Sequence, residues 1–325
     1  QGQGGQVSDV NGHGTSVAGV AAAAGNNFVG TSGVGWDLKI MPVRCSNWSS
    51  GSAFLSDILW GAIWASVNGA HVVSVSYAGV DSPSVQVTGQ TIREQYGGLL
   101  FWAAGNSAAE LGFDWPDVVV VGSTDINDAL APDSNWGTAI DVVAPGVGVY
   151  STLRGGGYGF VSGTSFATPI AAATAALGWS INPSLTPSQV MTKLTQSSID
   201  LGAPGEDPIF GRGRVNAYRM VSMCDPNQST ENGAPVLPAQ SPTEGTLRSG
   251  LTVMYYQLPH HLSPPWAFSG LTPFAVDTIS ALTVPQPTPA PGFGADYRGY
   301  VWVPTTAAYT FTIQATDGAC LWVDG

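Results

Sequence analysis

Four short runs limit what this chain can fold into more than any other feature. HVVSVSY (71–77), LLFWAAG (99–105), DVVVVGS (117–123) and IDVVAPG (140–146) are of strand length and almost continuously apolar. A strand with one wet face alternates apolar and polar residues. One buried on both faces does not, and such strands belong to parallel sheets covered by helices on either side. Helical periods alternate with the runs, the first of them ahead of residue 71. Over residues 53–67, Phe54, Leu55, Ile58, Leu59, Ala62, Ile63 and Val67 recur at three and four to make one apolar stripe. The alternation predicts an α/β fold built on a parallel, doubly wound sheet, with its chemistry beyond the carboxyl ends of the strands.

The pattern changes near residue 223. CDPNQSTENGAPVLPAQSPTEGTL has no apolar period and is rich in Pro, Ser, Thr, Asn and Gly, as a linker is. Beyond it, Val301, Val303, Tyr309, Phe311 and Ile313 fall two apart on either side of a turn at Thr305–Ala308, the pattern of an antiparallel hairpin. The expected organisation is an α/β domain over 1–222, a linker over 223–248 and a smaller all-β domain over 249–325. A chain of 325 residues is long enough for both.

A net charge of −12 repels phosphate backbones and anionic lipid, so no nucleic-acid partner is expected. No run reaches the roughly eighteen apolar residues of a membrane helix, so no membrane span is expected either. Cys45, Cys224 and Cys320 are widely spaced and make neither a zinc nor a CxxC redox motif. The opening QGQGGQVSDVNGHGTS reads as the middle of a loop entering a helix and the closing CLWVDG as stopping at a turn, so both ends read as cuts.

Three segments carry candidate chemistry. NGHGTSVAGVAAAA (11–24) sets His13 at the mouth of a small-residue helix, and FWAAGN (101–106) ends a buried strand in Asn106. SGTSFATPIAAATAALGW (162–179) sets Ser165 at the start of an almost wholly apolar helix, with Pro169 expected within its first turn. Alone, Ser165 is an N-cap, His13 a turn residue and Asn106 a turn former. A hydroxyl at a helix amino end also lies among free backbone N–H groups and the positive end of the macrodipole, which suit an oxyanion.

Together, HGT (13–15), AAGN (103–106) and GTSFATP (163–169), with APG (144–146) and GRGRVNA (211–217), resemble the subtilisin-like serine peptidases over about residues 7–222. The resemblance implies a secreted, extracellular serine endopeptidase that acts on polypeptides through an acyl-enzyme and needs no catalytic cofactor. It makes Ser165 the nucleophile and His13 the general base. The Asn106 amide and the Ser165 N–H become the oxyanion donors, each such donor being worth roughly 3–4 kcal/mol of barrier. Ile170 stands where the family often has His, read as a packing variation.

The family's triad aspartate precedes the histidine by about thirty residues on its own strand. Twelve residues precede His13 here, and their one acid, Asp9, reads as a loop carboxylate. Residues 1–325 alone are therefore expected to be nearly inactive, since losing that aspartate costs about four orders of magnitude.

The resemblance further implies a substrate strand held between Ser50-Gly51-Ser52 and Ser76-Tyr77-Ala78. Trp102 and Trp115 read as core. The loop GNNFVGT (25–31) matches one that binds a structural Ca²⁺, with Asn27 as its side-chain ligand, although a plain Asn-Asn turn explains the same residues. GLTVMYY (250–256), YRGYVWVP (297–304), YTFTI (309–313) and DGACLWVDG (317–325) resemble a PA14 domain, a β-sandwich-like module implying an extracellular glycan or protein partner. The rival reading is a non-catalytic adhesion or carbohydrate-binding protein on a peptidase-like scaffold.

Overall fold

The computed structural model describes residues 8–27 and 29–226, together with the backbone of three strands between 251 and 298. The chain divides into two compact units, Gln1–Val236 and Leu237–Gly325.

In the first unit the four apolar runs become β1 (Val72–Val75), β2 (Leu99–Ala103), β3 (Val118–Thr124) and β4 (Val142–Pro145). They pair in chain order, every pair parallel. The reason for their continuous apolarity is visible in β2 and β3, where residues 99–102 and 118–121 are no more than 3% exposed. Leu99, Phe101, Val119, Val121 and Val142 face α4 (Thr164–Ile181), α5 (Pro187–Ser197) and α6 (Ala217–Cys224). Leu100, Trp102, Val118, Val120 and Val143 face α2 (Leu55–Val67) and α3 (Pro83–Tyr96) on the other side. Burying each such side chain contributes roughly 1.5–3 kcal/mol, so neither face can carry polar residues cheaply.

Twelve of the 18 residues of α4 are buried, and its run of Ala167, Ala171, Ala172 and Ala175 lets it lie close across all four strands. Ile170 packs against the same core as a half-buried apolar residue. An antiparallel hairpin, β5 (Val149–Leu153) and β6 (Gly157–Val161), leads into α4 and packs on α1 (His13–Ala22).

The stripe expected over 53–67 is narrower than its sequence implies. α2 starts at Leu55 and turns Ile58, Ala62 and Ala65 inward. Phe54 precedes the helix, 62% exposed, with its ring edge-on to Trp48 at 5.3 Å, and Val67 is 56% exposed.

In the second unit β7 (Leu251–Gln257) is the central strand between β8 (Ala275–Ile279) and β9 (Phe293–Arg298), antiparallel to both. Of the PA14-like segment 250–256, residues 251–256 lie in β7. The expected hairpin over 301–313 and its turn lie outside the described residues. α6 runs to Cys224, past the start of the Pro/Ser/Thr-rich stretch.

Candidate active site

The amino end of α4 carries Ser165. Gly163 caps the helix at φ 130° and ψ 164°, backbone that a side chain resists, and Ser165 is the second helical residue. It is therefore not the N-cap. Pro169 is the helix's sixth residue rather than a first-turn one, as expected above, and this has a consequence. Proline has no N–H, so the Ser165 carbonyl loses its partner four residues on. The Ser76 hydroxyl, just past β1, donates to that carbonyl at 2.7 Å instead. A side chain from the predicted substrate segment thus completes the turn that holds the predicted nucleophile.

Asn106 lies three residues past β2, after Gly105 at φ 103°. Its Oδ1 accepts from the Thr164 N–H at 2.8 Å and from the Thr164 hydroxyl at 2.9 Å. A backbone N–H can only donate, so this contact fixes which way the carboxamide faces. The amide's NH₂ group is left without a hydrogen-bond partner among the described residues.

His13 opens α1, and its ring lies 5.5 Å from that of Phe166, the neighbour of Ser165. Burial pushes the imidazole's pKa below the ordinary histidine value, and the nearby Asp9 charge only partly opposes this. The neutral ring, able to accept a proton, is thereby favoured at neutral pH. Asp9 itself is fully occupied. Its Oδ1 accepts from the N–H groups of Asn11 at 2.9 Å and Gly12 at 2.7 Å; its Oδ2 accepts from the Thr15 N–H at 2.8 Å and hydroxyl at 2.6 Å. Burial would raise its pKa, but the hydrogen bonds from Thr15, Gly12 and Asn11 outweigh that and bring it down to about 2. Asp9 caps the amino end of α1. No ion pair joins it, or any other described carboxylate, to the His13 ring.

Beside His13 and Asp9 runs a groove of about 1890 Å³, which neither Ser165 nor Asn106 lines. Its floor is the free edge of β1, which α2 and α4 overhang with Ala62, Ala65, Ala172 and Ala176. The irregular stretch 38–46 forms another wall. There Ile40, Met41 and Val43 are 47, 38 and 37% exposed, and residues 39–46 make no backbone–backbone hydrogen bond to any described residue. Asp9 is the sole acid among the described residues lining the groove.

Of the predicted substrate contacts, Ser50, Gly51, Ser76, Tyr77 and Ala78 line this groove with His13. Asn11 ties the first segment to α1, its Nδ2 donating to the Ser49 carbonyl at 2.8 Å. Ser52 does not line the groove; its carbonyl accepts from the Ser46 hydroxyl. Asn27 stands apart on an exposed loop, its Oδ1 accepting from the Val29 N–H at 3.0 Å. Trp102 is fully buried and donates to the Tyr77 carbonyl at 2.7 Å, and Trp115 donates to that of Val80 at 2.7 Å.

Two supporting residues escaped the sequence reading. Thr164 was within reach, lying inside the GTS motif. Asn135, whose Oδ1 accepts from the N–H groups of Ser107 and Ala109 just past Asn106, was not, because it belongs to a loop with no motif of its own.

The family model for the Subtilase family matches residues 1–213, and that for the PA14 domain matches residues 247–325. Alkaline elastase YaB of Bacillus sp. (strain YaB) is 39% identical over 214 residues, 65% of this chain and 55% of that protein. Subtilisin Savinase of Lederbergia lenta is 38% identical over 213 residues, 64% of this chain and 77% of that one. The chain spans about half the length of several such relatives, including 53% of a thermophilic serine proteinase of Bacillus sp. (strain AK1). Among solved structures, sphericase superposes with a TM-score of 0.58 at 29% identity, covering 64% of this chain and 78% of its own. The Pseudoalteromonas arctica PAMC 21717 protease gives 0.55 at 32%, covering 66% and 71%. With 213 of its 325 residues matched by the family model, this chain belongs to the subtilase family.

Proposed function

We propose that the chain acts as a secreted serine endopeptidase, with residues 1–222 as its peptidase domain, 223–248 as a linker and 249–325 as an appended PA14-like module. Ser165 attacks the scissile carbonyl and forms an acyl-enzyme, while His13 takes the hydroxyl proton and returns it to the leaving amine. The Asn106 NH₂ and the Ser165 N–H receive the oxyanion. One observation carries this reading. Thr164 grips the Asn106 Oδ1 twice, one residue before Ser165, so an amide donor and a hydroxyl share one helix end. A serine that merely capped a helix would need no such neighbour. The substrate is polypeptide, laid as an added strand along Ser50-Gly51-Ser52 and Ser76-Tyr77-Ala78.

His13 needs a carboxylate, and Asp9 is engaged elsewhere. On this reading the acid arrives on an extended segment seated in the groove. An unpaired parallel edge lies on one side, an unpaired irregular stretch on the other, and the volume is about twice that of a large small-molecule pocket. A strand running parallel to β1 would bring its carboxyl end toward His13.

Calcium enters only through the loop at 25–31. Asn27 offers one oxygen, already used in its own turn, where a Ca²⁺ cage takes six to eight. Among the described residues no group of three or more His, Cys, Asp or Glu could hold a metal, so any Ca²⁺ ligands here would be Asn27 and backbone carbonyls. No helix among the described residues is long and apolar enough to cross a membrane. The PA14-like module is read as the contact to an extracellular glycan or protein.

The test is labelling by a fluorophosphonate, read at Ser165 by peptide mass spectrometry. Slow labelling of the chain, absent in Ser165→Ala and faster when a strand-forming peptide ending in Asp is added, supports the reading. Equal labelling of the chain and Ser165→Ala would refute it and leave the non-catalytic scaffold. Equal acceleration by a peptide ending in Asn would remove the carboxylate from the argument.

A further inference from the structure

The segment that presents Asn106 is bound from behind by one side chain. Asn135 is 8% exposed and lies on the loop between β3 and β4. Its Oδ1 accepts from the N–H groups of Ser107 and Ala109, both at 3.0 Å, and its Nδ2 donates to the Ala104 carbonyl at 2.8 Å. Its backbone N–H donates to the Gly105 carbonyl at 2.9 Å. Four hydrogen bonds from one residue thus bracket Asn106, two on each side.

The approach is close. A Cβ on Gly105 would lie 2.6 Å from the Asn135 Nδ2, which is why glycine stands there, and Ala108 is held at φ 49° in left-handed backbone. A non-glycine residue remains in that region only when its surroundings over-determine it. Asn135 is in turn fixed, its carbonyl accepting from the Ser134 hydroxyl at 3.0 Å, while that hydroxyl oxygen accepts from the β3 N–H of Ser123 at 3.0 Å.

Division of labour follows. Thr164 sets the rotation of the Asn106 carboxamide, and Asn135 sets the backbone from which that side chain springs. We infer that Asn135 is a positioning residue for the oxyanion donor, holding residues 104–109 so that the Asn106 NH₂ meets the oxygen developing on the carbonyl attacked by Ser165. The inference rests on the peptidase reading of Ser165 and Asn106. An oxyanion donor misplaced by about 1 Å forfeits about 100-fold in rate, so the effect of losing the clamp should be large.

The experiment is a double-mutant cycle on the rate of fluorophosphonate labelling at Ser165 in the 325-residue chain, with thermal unfolding of each variant. Asn135→Ala is expected to slow labelling about 10- to 100-fold in the parent, but less than about threefold in an Asn106→Ala background, where no donor remains to be positioned. A structural role would slow both backgrounds by the same factor, and that result overturns the inference, as does an unchanged rate in the parent. Asn135→Ser and Asn135→Asp are read in the same cycle, so a failure of Asn135→Ala to fold leaves the question decidable. If the parent is not labelled at Ser165, the peptidase reading itself has failed, which is a different result.

Discussion

Replacing Ser76 by alanine should destabilise the protein only because residue 169 is proline. The Ser76 hydroxyl donates to the Ser165 carbonyl, whose helical partner four residues on is Pro169, which has no N–H to give. An orphaned buried acceptor costs about 1–3 kcal/mol, and this half-buried one should fall near the lower end, about 1–1.5 kcal/mol. For a unit of this size that lowers Tm by about 2–6 °C. In a Pro169→Ala background the new N–H at 169 can donate to the Ser165 carbonyl, and Ser76→Ala should then cost less than about 0.5 kcal/mol. The coupling of about 1 kcal/mol is measurable by urea denaturation of the four proteins, followed by tryptophan fluorescence. If Ser76→Ala costs the same with proline and with alanine at 169, proline has not created the demand that serine meets, and the argument is wrong.

Other outcomes follow from the same contacts. The His13 ring should titrate below the ordinary histidine value by NMR, and lower still in Asp9→Asn, because the Asp9 charge raises its pKa; an upward move on that substitution contradicts the geometry. Asp9 is held at about 2 against 3.8 when unfolded, so its stabilising contribution is complete above pH 3.8 and lost as pH falls toward 2. Asp9→Asn should flatten that part of the stability–pH curve. Asp141 behaves oppositely. Desolvation lifts its pKa well above 3.8, despite the Val120 N–H donating to it at 2.7 Å, so its stabilising contribution is present below pH 3.8 and lost as pH rises from there toward the raised folded value. Asp141→Asn keeps an acceptor for that N–H and should remove the loss, seen as a Tm at neutral pH no lower than the parent's. Gly163→Ala should cost about 1–3 kcal/mol in backbone strain and also slow Ser165 labelling, since the new Cβ lies 3.2 Å from the Asn106 Nδ2. Unimpaired labelling would show that the carboxamide can yield.

What could be read from the residues was whatever repeats or matches a motif. The runs around Phe101 and Val119 announce a sheet dry on both faces because no polar residue interrupts them. Ser165, His13 and Asn106 lie in short segments whose company is informative. Phe54 and Val67 were misjudged because periodicity gives a stripe's direction but not its width; Phe54 falls outside the helix and packs on Trp48. Pro169 was placed a turn too early because a helix start cannot be fixed when its cap is a glycine with unusual backbone. Asn135 was invisible for a different reason. Its partners lie 26 to 31 residues earlier, and an isolated loop asparagine looks the same whether it faces water or clamps another loop.

The long helix that bears on every strand of the sheet has a mechanical corollary. Ser165 rides near one end of a rigid rod braced along its length, so it cannot drift while the layers beneath stay in register. Loss of reactivity on heating should therefore coincide with collapse of the whole unit, with no earlier softening of the nucleophile's position.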